Sequence, residues 1–298
     1  MPEYHLLRDI IRPYMVAGKA WKKPGTQKTN AQDVRPLERF FKHHWITHAA
    51  ADVRRHRQVV TGKVVADYRE RRKIEGVGVT TIARELSLAC SACKYAISEL
   101  NLDIPNPFLG RMMTRADART VKPRSRVLKE GEERALLIAS PQPLRDMILL
   151  FLETGLRVTE LRRLRHDQLD LDVGVVAFEP DEHKSGNHAA SALTPEAVEI
   201  IRRQPAVEGS PFVFHVDGEE VLDSWLRHNF DRARKAAGCP DLQMRDLRRT
   251  ALTRWRFRFG IDVAQAQARH ADKKTTERVY ARPSVEIALE ALRSTKQS

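Results

Sequence analysis

The sequence predicts a mainly α protein with a small antiparallel β-sheet, built as two domains. Three observations carry that expectation. Apolar residues recur at helical spacing through 30–105 and again through 130–165. A single β-prone run, Val173-Gly174-Val175-Val176-Ala177-Phe178, is followed by a polar turn and a return strand at Ala190 to Leu193. A chain of 298 residues is also long for one domain. Residues 1–25 read as an N-terminal extension, 26–110 as a helical domain, 111–129 as a basic linker, and 130–298 as a mixed α/β domain with a C-terminal tail.

Charge separates the two halves. The formal net charge is +13. Residues 1–130 hold 26 Lys+Arg against 13 Asp+Glu, whereas residues 131–298 hold 26 against 26. All of the excess therefore lies in the first half, which points to a polyanionic partner gripped through phosphates rather than to a merely solubilising face. Cys90 and Cys93 form a C-x-x-C with no second pair nearby, so they read as small buried residues and not as a zinc site. The low cysteine count fits a reducing, cytoplasmic setting. No apolar run is long enough for a membrane span, and the start, Met1-Pro2-Glu3-Tyr4-His5, is unlike a secretory leader.

Taken in order, Leu6 to Met15 is one apolar patch, and Lys22-Lys23-Pro24-Gly25 reads as a turn. Val34, Leu37, Phe40, Phe41 and Trp45 share a helical spacing. A basic helical run follows from Asp52 to Arg72, broken at Gly76-Val77-Gly78-Val79; Thr80 is the candidate cap of the next helix. Pro105 and Pro107 end that helix. Residues 111–129, with Arg111, Arg115, Arg119, Lys122, Arg124, Arg126 and Lys129 and few apolar neighbours, read as a tether. Two helices separated by Pro141-Gln142-Pro143 come next, the second nearly all apolar and closed by Gly155 as its C′ residue. Arg157 then sits at the start of a new helix, where it is held rigidly. Glu160 reads as a structural ion-pair partner. Thr194-Pro195 is a cap followed by proline at N1. A helix with Leu222, Trp225, Leu226, Phe230 and Ala233 on one face stops at Gly238.

The stretch Met244 to Tyr280 carries the chemistry. Arg245, Arg248 and Arg249 stand at i, i+3 and i+4 and share a helix face. Neighbouring arginines repel, so an anion should lie between them, and a guanidinium fork matches a phosphate. Tyr280, the only tyrosine after Tyr95, is placed to act as a nucleophile beside such a site.

Asp246-Leu247-Arg248-Arg249-Thr250, then His270, then Thr275-Thr276-Glu277-Arg278-Val279-Tyr280, resembles the C-terminal motif of the tyrosine recombinases, the phage-integrase family. Thr154-Gly155-Leu156-Arg157-Val158-Thr159-Glu160-Leu161 resembles the other half of that signature, in the right order and about a hundred residues upstream. The resemblance covers 130–293 well and 25–110 loosely, where the basic helices look like the family's core-binding domain. It implies the two-domain architecture without a separate arm-site domain. It also implies a reaction, cutting and rejoining of DNA through a 3′-phosphotyrosyl link. Tyr280 would be the nucleophile, Arg157 and Arg248 the phosphate ligands, and His270 a further phosphate ligand. Lys184, in the turn of the small sheet, would be the general acid; without the flanking motifs it would read as a surface hairpin lysine. No cofactor or metal is expected. The expected partners are double-stranded DNA, a homotetramer on two DNA sites with the tail (Leu289, Leu292) docking on a neighbour, and DNA-bending accessory proteins, in a nucleoid-associated setting.

Two departures stand out. Arg245 occupies a position where most members have His, and arginine does not titrate near neutrality. Gln267-Ala268-Arg269-His270 lacks the usual Leu-Gly before the histidine, and His270 to Tyr280 is one residue longer than the commonest spacing. Alternatives are a type IB topoisomerase, which shares the chemistry, and a DNA-binding relative that has lost cleavage.

Overall fold

The computed structural model describes residues 4–48, 58–122, 124–179 and 189–269. The chain divides into two compact units, Met1–Lys122 and Pro123–Ser298.

In the first unit β1 (His5–Leu6) runs into α1 (Leu7–Trp21), followed by α2 (Pro24–Phe40), β2 (His44–Ile46), β3 (Gln58–Val59), α3 (Gly62–Ile74), α4 (Val79–Ser98) and α5 (Arg115–Thr120). Helix α4 is the spine. Its Ile82, Leu86, Ala89, Cys90 and Cys93 are buried, and α1 and α2 both pack on it. Cys93, pushed up to about 12 by burial and then by Cys90, is held as a neutral thiol.

Four expectations are corrected here. Of the stretch 1–25 read as an extension, the described part, from residue 4, belongs to the fold, because Leu7, Ile10, Ile11 and Tyr14 of α1 enter the core of this unit at helical spacing. The supposed turn at Pro24 is the first residue of α2, where proline's missing N–H is harmless. Trp45 is not on the α2 face; it lies on β2, which pairs antiparallel with β1 (Leu6 opposite Trp45) and parallel with β3 (Trp45 opposite Val59). Thr80 lies inside the first turn of α4, whose cap position is Gly78. The stretch from 111 also holds structure. Thr114 caps α5 by accepting from the Asp117 amide at 3.0 Å, and Asp117 accepts from the Thr114 amide at 3.2 Å and pairs with Lys73 at 2.8 Å. Arg54, Arg55 and Arg57 lie outside the described residues.

In the second unit α6 (Glu132–Ala139), α7 (Leu144–Thr154) and α8 (Val158–Arg162) precede β4 (Leu169–Asp170), β5 (Val175–Phe178) and β6 (Ala189–Ala192). Then come α9 (Pro195–Arg202), the hairpin β7 (His215–Val216) and β8 (Glu219–Glu220), α10 (Asp223–Ala236), α11 (Met244–Phe259) and α12 (Ile261–Ala268). Helix α7 is central. Leu144, Met147, Ile148, Leu150, Phe151 and Leu152 are all buried, and α9 and α11 pack on it. Strands β4, β5 and β6 form the antiparallel sheet, with Val176 opposite Ser191 and Phe178 opposite Ala189. Thr194 caps α9 by accepting from the Ala197 amide at 3.1 Å, with Pro195 at N1. Among the described residues no helix is long and apolar enough to cross a membrane.

Candidate functional site

The site begins where α7 stops. The Thr154 hydroxyl donates back to the Leu150 carbonyl at 2.6 Å, and Gly155 adopts a left-handed conformation (φ 63°) with its amide on the Phe151 carbonyl at 2.8 Å. A Cβ on Gly155 would meet Leu252 Cγ and Cδ2 at 3.1 Å. Only glycine therefore suits both the backbone angle and the close approach of α11. Past buried Leu156 the chain turns extended at Arg157, the cap residue of α8.

Glu160 fixes Arg157 twice. The Arg157 amide donates to Glu160 Oε2 at 2.7 Å, and Arg157 Nη1 donates to Oε1 at 2.8 Å. The Glu160 side chain is 4% exposed. Burial pushes its carboxyl up, but the charge of Arg269 and the donors of Arg157 outweigh that and hold it below the usual carboxylate range.

Helix α11 brings the second arginine. Its start is pinned by Asp246, fully buried, which accepts from the Gln243 amide at 2.8 Å and from Arg124 Nε at 2.8 Å and Nη2 at 2.7 Å. The latter part of the stretch read as a tether is thus anchored inside the second unit. Arg248 donates through Nη1 to the Gly155 carbonyl and through Nη2 to the Ala268 carbonyl at 2.7 Å. One guanidinium therefore ties the turn before Arg157 to the end of α12, immediately ahead of His270. Arg245, one turn earlier on α11, is exposed and makes no hydrogen bond or ion pair with the described residues. Arg157 and Arg248 are thus brought together; Arg245 is on the same helix but stands apart from their contacts. Lys184, His270, Tyr280 and the tail lie outside the described residues.

Two residues of the site were not foreseen. The buried amide of Gln267 donates to the Thr154 carbonyl at 2.8 Å and the Ala192 carbonyl at 3.0 Å, and accepts from the Ala192 amide at 3.1 Å, so it joins α7, β6 and α12. Arg269 takes the left-handed region (φ 53°, ψ 46°) at the end of α12 and donates to Glu160 Oε2. Their signal was local and slight: Arg269 stands where the resembled motif has glycine.

A model of the phage integrase family matches residues 126–286, and the chain belongs to that family, the tyrosine recombinases. It is 24% identical to the integrase of Salmonella phage P22 over 155 residues, 48% of this chain and 40% of that relative, so it spans less than half the length of the curated relative it matches. Among solved structures, it is similar to the Tn1549 transposon integrase in complex with a circular intermediate DNA (TM-score 0.71, 18% identity, 96% of this chain and 99% of that one). It is also similar to a lambda integrase dimer bound to a COC′ core site (TM-score 0.71, 20% identity, 93% of this chain and 78% of that one). At these identities the likeness establishes the fold: mainly helical, with small sheets.

Proposed function

We propose that this chain is a site-specific DNA recombinase or integrase that cuts and rejoins DNA through a 3′-phosphotyrosyl intermediate. The observation that carries the reading is Arg248, whose two terminal nitrogens hold the Gly155 turn ahead of Arg157 and the Ala268 carbonyl ahead of His270. That contact, between residues 93 apart in the chain, supports reading the two family motifs as one site.

In this reading Tyr280 Oη attacks the scissile phosphorus and gives up its proton to water or to a group such as His270, the phosphorus–O5′ bond breaks, and Lys184 gives a proton to the departing 5′-oxygen, which leaves as a hydroxyl. Attack by that hydroxyl, or by one from a partner strand, on the phosphotyrosyl link restores the DNA and frees Tyr280. The bond energy is kept in the link, so no nucleotide is consumed. Negative charge grows on the non-bridging oxygens, where Arg157, Arg248 and His270 would meet it. Arg245 would serve as a fixed cation and not as a proton acceptor, because its guanidinium stays charged. Guanidinium groups fill the electrostatic role a divalent ion would otherwise take, so cleavage should persist in a chelator. The expected assembly is four protomers on two duplexes.

The test is a nicked suicide substrate carrying the element's own end sequence. Wild type should form a covalent protein–DNA band, and Tyr280→Phe should form none. Retention of the band in Tyr280→Phe refutes the assignment of the nucleophile. Relaxation of plasmids that lack the site would replace the recombinase reading by the topoisomerase one.

A further inference from the structure

Arg269 sits at a position that is doubly unfavourable for an arginine. Its backbone is left-handed, the region in which glycine is the default at a helix end and other residues are strained. Its side chain is 6% exposed, and of its three nitrogens only Nη2 has a hydrogen-bond acceptor among the described residues; Nε and Nη1 are buried without one. The guanidinium lies over the Phe178 ring at 4.6 Å. Burial pulls its pKa down, Glu160 pulls it up, and Arg157 pulls it down again, with a net fall. An arginine kept only for stability would have its donors filled, and an apolar side chain or glycine would serve the fold better here. Local strain at a site of this kind points to function.

The geometry of the carboxylate shows what Arg269 does. Glu160 Oε1 is taken by Arg157 Nη1, whereas Oε2 is shared by the Arg157 amide and Arg269 Nη2. With Oε2 held by Arg269, the Glu160 carboxylate cannot swing away from Arg157, and Arg157 is held between a fixed carboxylate and the turn that Arg248 ties down. The buried atoms of Arg269 are out of reach of a ligand, so it acts through Glu160 and Arg157.

We propose that Arg269 is a positioning residue for the phosphate site, fixing Glu160 so that Arg157 is aimed at the scissile phosphate. This rests on the recombinase reading above.

Arg269→Gly is the informative variant, because the left-handed backbone suits glycine and the fold should survive. Single-turnover cleavage of the suicide substrate should fall about tenfold or more, since slight misplacement of a catalytic group costs up to about a hundredfold, while the DNA concentration giving half-saturation should change less than about twofold. Arg269→Lys should recover part of the rate. In an Arg157→Lys background the same change should cost at least about threefold less than in wild type, because the two residues act as a unit. In parallel, 15N relaxation of the Arg157 Nε–H group in the uncomplexed protein should show greater motion in Arg269→Gly. Wild-type rate in Arg269→Gly overturns the proposal, as does an equal loss in both backgrounds, which would mark a structural residue. If wild type forms no covalent adduct, the recombinase reading fails, and the Arg157 relaxation still decides whether Arg269 orders Arg157.

Discussion

Glu85 in the first unit and Glu160 in the second are both buried carboxylates held by arginine, 2% and 4% exposed at the side chain. Their surroundings differ. Glu85 receives the Arg72 fork through Nη2 at 2.6 Å and Nε at 3.0 Å, and the Tyr68 hydroxyl at 2.7 Å. Burial and then the hydrogen bond to Glu85 push the Tyr68 pKa far up, so it remains a neutral donor, and Arg72 also binds Glu75. All three Arg72 nitrogens thus have a carboxylate acceptor. Around Glu160 two guanidiniums meet one carboxylate, and Arg269 keeps donors that no described residue fills. The first cluster is complete as folded. In the second, Arg269 has more donors than the described residues have acceptors for, and that sets it apart from a closed cluster.

The contrast breaks first at Glu85. Glu85→Ala leaves Arg72 and Tyr68 buried without their acceptor, so it should cost about 3–5 kcal/mol in denaturant unfolding of the full chain. A loss below about 1 kcal/mol would show that the cluster is not closed.

Gly155 sharpens the other side. Gly155→Ala imposes a left-handed alanine and a Cβ at 3.1 Å from Leu252, and should cost about 1–3 kcal/mol. Because the Gly155 carbonyl is held by Arg248, cleavage should slow as well. Unchanged stability with unchanged cleavage would remove this turn from the site.

The smallest expected effect is in acid. The Glu160 carboxyl is held below its ordinary value of 4.5 when folded, so its contribution is complete above that value and is lost as pH falls through the lower folded one. Unfolding midpoints measured from pH 6 downward should therefore drop less steeply in Glu160→Gln than in wild type. Parallel curves would mean that folding does not lower the Glu160 pKa, and a shallower fall in wild type would mean that folding raises it.

Much of this was legible in the sequence, and what was not has physical causes. Helix α7, its stop at Gly155 and Arg157 at the next helix start follow from an apolar run, a glycine and local spacing, all within a dozen or so residues. The β5–β6 pair is equally local. Helix α1 was hidden because Pro13 and the Pro24-Gly25 pair look like breakers; burial of Leu7, Ile10, Ile11 and Tyr14 overrides that signal. The β1–β2–β3 sheet was hidden because its strands are 2 or 3 residues long, too short to show alternation. In the site, Arg157 and Arg248 were legible because they lie in motifs. Arg269 was not, because its meaning depends on Glu160, 109 residues earlier, and on a backbone angle that sequence does not display.

Gln267 determines how the site responds to ionic strength. The link it makes between α7, β6 and α12 is built from a buried, uncharged amide and uncharged backbone groups, so dissolved ions have no charge there to screen. Arg157, at 24% exposed, does feel them, within a screening distance of about 8 Å at physiological salt. Concentrated salt should therefore loosen a bound anion while the walls that surrounded it stay joined.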